Sequence, residues 1–338
     1  MTTNLFYGDI MIEKLFIHQE SSLDPYYNLA LEKQLLDALQ PGMCILYLWQ
    51  NRNTVVIGKN QNAWAECRTS LLEAEGGHLA RRLSGGGAVF HDTGNLNFTF
   101  LVCDEDYDVD KQLSVIQKAC EYCGITAEKS GRNDLLADGR KFSGNAFYHQ
   151  SGHAYHHGTL MVTVDKDKLQ RYLSPSKAKL DAKGVASVRS RVVNLSELAP
   201  GLTCDTMREL MVKAFEEVYG LLSQPITLTE EDAKTIEATR QVNASWEHLF
   251  GANLPFSFEC EDRFPWGGVQ LQLAADGGVI TAVKVYSDSM DWQLSSKLED
   301  ALTGVAFHTD DLCRAIRAEF SDPKISADLC GMIKNQNI

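Results

Sequence analysis

The densest chemistry in the chain lies in fifteen residues, Arg81-Arg82-Leu83-Ser84-Gly85-Gly86-Gly87-Ala88-Val89-Phe90-His91-Asp92-Thr93-Gly94-Asn95. Three consecutive glycines let backbone N–H groups close on a ligand and tolerate positive φ. Successive N–H groups in such a turn form a concavity for an anion. Arg81 and Arg82 can add permanently charged planar forks, suited to a carboxylate or a phosphate. A glycine-rich hairpin loop with solvated arginines is the plainer reading. The apolar run Ala88, Val89, Phe90, which continues the glycines as a buried strand, favours an anion site. The stretch is neither of the common nucleotide loops. No G-x-x-x-x-G-K-[ST] occurs, and β-prone residues rather than a helix follow the glycines.

A second group lies fifty residues on. Asp138-Gly139 is a hairpin signal that puts Lys141 at the start of the returning strand, ahead of Ser143-Gly144. Taken alone, Lys141 is a solvated strand-edge lysine; beside a bound anion it would be an electrophilic catalyst. Asp134, after Asn133, is either a turn aspartate bonding its own backbone or a hard oxygen ligand for Mg²⁺ on phosphates. His149, His153, His156 and His157 lack a matching cluster of Cys, Asp or Glu. The spacing from His153 to His156 does not share one face of a strand, so exposed hairpin histidines are expected and no metal centre. Cys120-x-x-Cys123 has no second pair to complete a zinc site. Ser84 and Ser143 lie outside a nucleophile elbow.

The first block, Arg81-Arg82-x-Ser-Gly-Gly-Gly-Ala-Val-Phe-His-Asp92, resembles the lipoate-binding loop of lipoate–protein ligases. Two more blocks agree with that family in order and separation: Gly131-Arg132-Asn133-Asp134-Leu135-Leu136 with Arg140-Lys141-Phe142-Ser143-Gly144-Asn145-Ala146, and His156-His157-Gly158-Thr159-Leu160-Met161. The resemblance covers nearly the whole chain. It implies an α/β fold, a mixed-sheet catalytic domain of the biotin/lipoate ligase type (1–250) with a small C-terminal α+β accessory domain (256–338). It implies activation of lipoate by ATP to lipoyl-AMP, then transfer to a lysine of a lipoyl domain, on the E2 subunits of 2-oxoacid dehydrogenases, or of the glycine-cleavage H protein. In that scheme Lys141 is catalytic and contacts both lipoate and nucleotide. Arg82, Gly87, Ala88, Val89 and Phe90 bind ATP and the adenylate; Arg81, Gly85, Gly86 and His157 bind lipoate; Asp134 holds Mg²⁺. The stretch 174–191, basic with small residues between, becomes an adenylate lid, and Val89, Phe90, Leu46 and Leu96 become walls of an apolar acyl pocket. Phe142 and Asn145 depart from the family pattern, where a smaller aliphatic and a serine are expected, and bear on pocket shape.

Other functions are weighed against this one. A lipoyl or octanoyl transferase working through an acyl-enzyme needs a pocket cysteine, and none of the nine lies inside the three blocks. A transferase fed with preformed lipoyl-AMP would lack only the ATP step. A DNA-binding adenylate sensor would need a helix-turn-helix and a basic face. The net charge of −13 argues against nucleic acid.

These residues need elements to hold them. A chain of 338 residues can build two domains. No signal peptide or transmembrane run is expected, and nine scattered cysteines suit reduced thiols in a cytoplasm. Asp24-Pro25 starts a helix to about residue 39. Residues 43–49, 54–57, 78–82, 88–91 and 97–103 pattern as strands, 64–75 and 110–123 as helices. A strand at 155–164, helices at 165–173 and 207–219, a hairpin at 268–286 and helices at 294–302 and 310–320 complete the expectation.

Overall fold

The computed structural model describes residues 12–131, 133–173, 192–250, 258–276 and 278–336. The expected lid at 174–191 and the domain junction near 251–255 lie outside them. The described residues fall into two compact units. The first draws on Met1–Thr54, His91–Gln170 and Ala186–Asn243, the second on Val55–Phe90, Arg171–Val185 and Ala244–Ile338.

In chain order the strands are β1 (Lys14–Gln19), β2 (Met43–Trp49), β3 (Thr54–Ile57), β4 (His78–Arg81), β5 (Val89–His91), β6 (Asn95–Cys103), β7 (Glu128–Ser130), β8 (Asp134–Ala137), β9 (Arg140–Gln150), β10 (His153–Met161), β11 (Ser223–Pro225), β12 (Phe258–Phe264), β13 (Gly267–Asp276) and β14 (Val279–Ser287). The first unit is built on one mixed sheet of eight strands, ordered β11-β1-β2-β6-β10-β9-β8-β7. Only β1 pairs in parallel, with β2 and β11. Two hairpins organise the half that carries the motifs. Asp138 and Gly139 (φ 51° and 67°) turn β8 into β9, and Ser151 and Gly152 (φ 55° and 82°) turn β9 into β10. Both pairs lie in the left-handed region that tight hairpins demand.

Period two then sorts every side chain to one of two faces. One face carries Leu46, Leu48, Leu96, Phe98, Phe100, Val102 and Leu160, packed with residues of helices Val109–Glu121 and Cys204–Tyr219 into the main core. Leu46 and Leu96 are therefore core residues against helices, not pocket walls. Phe142, wholly buried, belongs to the same core, so its departure from the family pattern bears on packing. The opposite face carries Trp49, Thr99, Tyr155 and His157. There, Glu32 of helix Pro25–Asp37 bonds Thr99, and Asn28 accepts the Tyr47 hydroxyl. Asp24 caps that helix by accepting from the Tyr26 N–H at 2.9 Å, with proline at its first position.

The second unit holds two three-stranded sheets, β4-β3-β5 and β12-β13-β14. The expected helix at 64–75 is two helices, Ala63–Glu66 and Thr69–Ala74. Between them Cys67 bridges to Leu173, and the Arg68 N–H donates to the Tyr172 carbonyl at 2.9 Å, so backbone pairing interrupts the helix. The C-terminal part exceeds a hairpin with two helices. It has three strands and the helices Leu294–Leu302, Thr309–Glu319 and Pro323–Lys334, around Leu271, Leu273, Leu298, Leu312, Ile316 and Leu329. No helix among the described residues is long and apolar enough to cross a membrane.

Gly94 shows how tightly the first unit is joined. A Cβ there would lie 2.3 Å from the Thr163 carbonyl oxygen and 2.4 Å from its carbon. The Gly94 carbonyl accepts from the Val162 and Thr163 N–H groups. Backbone on both sides cannot yield, so Gly94→Ala is expected to cost about 1–3 kcal/mol, read as a lower urea midpoint at unchanged slope.

Candidate active site

On the first unit, Lys141 and Asp134 meet across the β8/β9 hairpin. The register runs Ala137 to Arg140 and Leu136 to Lys141, then shifts by a bulge, so that Leu135 opposes Ser143 and Asp134 opposes Gly144. The bulge sends Phe142 into the core and brings Lys141 Nζ within 2.7 Å of Asp134 Oδ1, both side chains about one-third exposed. Lys141 lies across Gly144. A Cβ on that residue would fall 2.9 Å from Nζ and 3.1 Å from Cε. Glycine here makes room for the lysine. The Val193 N–H, just beyond 174–191, donates to the Lys141 carbonyl at 2.9 Å.

The two histidines of the third block part company. His157 faces the side covered by helix Pro25–Asp37, where its Nδ1 lies 2.9 Å from Glu32 Oε1. The buried Glu32 carboxylate also accepts from Thr99 Oγ1 at 2.7 Å, and Thr99 in turn accepts from the Trp49 indole at 3.2 Å. With Glu32 Oε1 as the acceptor, the pairing puts a His157 proton on Nδ1. His156 is wholly buried on the core face, which corrects the expectation of an exposed hairpin histidine. His149 does sit on an exposed hairpin, 2.9 Å from Asp104.

Two residues of this unit were not singled out by type and spacing. Glu32 could have been: with Asn28 it is a polar pair four residues apart inside the stripe Leu29, Leu31, Leu35 and Leu36. His91, buried, accepts at Nδ1 from Asn51 Nδ2 at 3.2 Å. Only its place in the Phe90-His91-Asp92 run marks it.

In the second unit the glycine loop is held by its arginines rather than fringed by them. Arg82 is buried and donates from Nε to Ser84 Oγ, from Nη1 to the Val56 carbonyl, and from Nη2 to the carbonyls of Gly85 and Gly87, at 2.7–3.2 Å. Arg81 donates to the carbonyls of Gly58, Lys59, Gln61, His248 and Leu249. Burial pushes its guanidinium down to about 10. Both side chains, read from sequence as forks for an anion, grip backbone oxygens instead. A desolvated guanidinium demands acceptors for its five N–H groups, and carbonyls supply them.

The glycines answer a close approach. A Cβ on Gly85 would lie 2.3 Å from the Ser289 carbonyl oxygen, and Gly86, at φ +88°, donates its N–H to that same oxygen at 2.9 Å. Among the described residues nothing lies within 4 Å of where a Gly87 Cβ would be. Ala88 and Val89 are half-buried. Phe90 is buried, its ring 5.5 Å from that of Tyr172.

These parts can neutralise and orient anions. Among the described residues no three His, Cys, Asp or Glu gather to hold a metal. The nine cysteines are free thiols, eight of them buried, and burial raises several, Cys44 and Cys120 to about 12, which disfavours a thiolate nucleophile there.

The model of the lipoyl protein ligase A/B catalytic domain matches residues 24–216, and that of the bacterial lipoate protein ligase C-terminus matches 253–329. The chain belongs to the lipoate–protein ligase family. It is 41% identical over 312 residues to a lipoate-protein ligase A of Bdellovibrio bacteriovorus, covering 90% of this chain and 92% of that protein. Its fold matches that of Plasmodium falciparum LipL1 in complex with lipoate, with TM-score 0.81 at 25% identity over 95% of this chain and 98% of that one. A crystal structure of lipoate-protein ligase A bound with ATP matches with TM-score 0.62 at 24% identity, over 71% of this chain and 99% of that one. The protein is thus a ligase of the lipoylation class, with the mixed-sheet fold its motifs imply.

The arginine geometry changes what a variant does. Arg82→Ala removes the guanidinium bonds to the carbonyls of residues 56, 85 and 87, so it should lower stability by roughly 2–4 kcal/mol, in keeping with loss of several bonds to a buried charge, as well as activity. Arg82→Lys keeps the charge but cannot span the same acceptors and should fall nearly as far. Chemical denaturation of both variants reads this; an unchanged midpoint for Arg82→Ala would refute the loop-holding role.

Proposed function

We propose that this ligase activates lipoate with ATP, forming lipoyl-AMP and pyrophosphate, and then passes the lipoyl group to a lysine amine of an acceptor protein. The observation that carries the reading is the Lys141–Asp134 pair on its bulged hairpin, with Gly144 cleared beneath the lysine. In the first step the lipoate carboxylate attacks the α-phosphorus of ATP, and pyrophosphate leaves. Two anions must approach, so the barrier is lowered most by fixed positive charge in a water-poor site. Lys141 supplies that charge to both the carboxylate and the α-phosphate.

Asp134 is a single carboxylate, which suits a magnesium ion carried in on ATP phosphates better than a resident metal with an all-protein cage. Gly85, Gly86 and Gly87 offer a backbone whose path is set by Arg82, and Arg81 anchors the strand that leads into it. Ala88, Val89 and Phe90 contribute contacts to ATP and the adenylate, and His157, oriented by Glu32, contributes to the lipoate site. No protein nucleophile is required. The acceptor's amine attacks the mixed anhydride and AMP leaves; the enzyme needs only to position it.

The acceptors in this reading are lipoyl domains of E2 subunits of 2-oxoacid dehydrogenases, or the glycine-cleavage H protein. The place of action is the cytoplasm, consistent with nine free thiols, and the working division of the chain is 1–250 for catalysis and 256–338 for the accessory domain.

Pyrophosphate release on mixing the protein with lipoate and Mg·ATP, without acceptor, tests the activation step. Its absence, with transfer from preformed lipoyl-AMP intact, would leave a transferase. Lys141→Ala should reduce both half-reactions by two orders of magnitude or more, about 3 kcal/mol. Lys141→Arg should fare little better, because a planar fork cannot replace a compact ammonium over Gly144. Full activity of Lys141→Ala in both assays would remove it from the site.

A further inference from the structure

His156 lies on the core face with its ring 5.4 Å from that of Phe98, 5.9 Å from Phe100 and 5.1 Å from Phe147. An imidazole among aromatic rings costs stability unless its nitrogens are bonded. Nε2 is 2.8 Å from Asn145 Oδ1, and Nδ1 is 3.1 Å from Gln112 Oε1. Burial pushes His156 down to about 3, so the ring is neutral and carries one proton. One amide must therefore present a nitrogen. Asn145 Nδ2 already donates to the Asn133 carbonyl at 3.0 Å, which fixes Oδ1 on the ring. Among the described residues Gln112 Nε2 has no partner, while Oε1 faces the ring. Gln112 is thus the amide that turns, donating to Nδ1, and the His156 proton sits on Nε2, donating to Asn145.

The chain of bonds continues outward. The Asn145 N–H donates to the Asn133 carbonyl at 2.8 Å, and Asn133 Nδ2 donates to the Asn145 carbonyl at 2.9 Å. Three bonds therefore clamp residue 133 to residue 145. Asn133 is the neighbour of Asp134, and Asn145 is the neighbour of Gly144, the residue Lys141 lies across. A Cβ on Gly158 would strike both Asn145 Oδ1 at 2.7 Å and the Gly144 carbonyl at 2.8 Å, so β10 too is shaped to this arrangement. A serine at 145, the residue expected from the family pattern, would be too short to reach from His156 to Asn133 at once.

We propose that Asn145, oriented by Gln112 and His156, is a positioning residue that sets the backbone on either side of the Lys141–Asp134 pair and so fixes the pair for Mg·ATP. The inference rests on the activation reading above. Its test measures Mg·ATP binding by calorimetry, lipoate binding separately, and kcat and KM for pyrophosphate release, in Asn145→Ala, the milder Asn145→Ser, His156→Phe and the double variant Asn145→Ala/His156→Phe. Asn145→Ala should weaken Mg·ATP binding and lower kcat by roughly tenfold each, as loss of a partner behind a ligating group does. Lipoate binding, which shares Lys141 but not Asp134, should weaken less than Mg·ATP binding. His156→Phe keeps an apolar ring among aromatics and should reproduce the defect. The double variant should be no worse than Asn145→Ala, because both remove one chain of bonds.

A lower melting temperature with wild-type Mg·ATP affinity and kcat would show a merely structural network and overturn the proposal. Additive losses in the double variant would overturn the chain. If the wild type binds Mg·ATP but releases no pyrophosphate, the activation reading fails while the binding arm still decides the positioning role.

Discussion

The first unit depends on one constraint: a sheet covered by helices on both faces has no solvent to receive a polar side chain. Alternation along β10 sends His156 and His157, adjacent in sequence, to opposite covered faces. Each must find partners where it lands. His157 finds a buried carboxylate on a helix, and His156 finds two amides. The polar groups of the unit are consequently linked in chains, Trp49–Thr99–Glu32–His157 on one side and Gln112–His156–Asn145–Asn133 on the other. Low dielectric makes a satisfied chain rigid and an interrupted one expensive. Rigidity at depth is what an exposed pair such as Lys141 and Asp134 lacks by itself, since exposed ion pairs are worth little.

The glycine loop meets the same constraint with the opposite solution. Its charged side chains turn inward and serve the backbone, and what remains for a ligand is peptide geometry. Arg82 converts a flexible run of three glycines into a loop of defined path without adding bulk at its rim. The absence of a side chain at Gly85 is explained by the Ser289–Met290 backbone lying against it, and at Gly86 by φ +88° with Arg82 Nη2 and Met290 Sδ each 3.1 Å from where a Cβ would be. At Gly87 no atom of the described residues requires it.

Much of the scaffold was legible because local signals and tertiary packing agree. The cap and proline at Asp24-Pro25, the apolar runs of β2 and β3 and the two left-handed turns each announce themselves. Where they disagree, reading by type and spacing falls short. Asp322-Pro323 repeats the same helix-start signal, with Asp322 accepting from the Lys324 N–H at 2.8 Å, and opens a helix that lies beyond the last one expected, at 310–320. β12 alternates Phe258, Cys260 and Phe264 with Glu259, Glu261 and Arg263, but Asp262 interrupts the apolar series, so its charge hides its period. Helix Glu230–Asn243 buries only Ile236 and Asn243 and shows almost no apolar stripe. The identity of the chemistry was legible in the three blocks; the orientation of its arginines was not. The carbonyls that hold Arg81 come from residues 58–61 and 248–249, a distance in sequence that no local pattern reveals.

The bond from Gly86 to Ser289 has a temporal side. The two residues are separated by some two hundred positions, so closing that contact orders a very long stretch of chain. On the ribosome, where synthesis is vectorial and early segments fold as they emerge, strands β1, β2 and β6 to β10 can assemble while the glycine loop still waits for Ser289 to be made. The loop is among the first chemistry-bearing segments to be translated and among the last to reach its final shape. A nascent chain would thus hold a finished central sheet before the glycine loop reached its final path, which waits for Ser289 to be made.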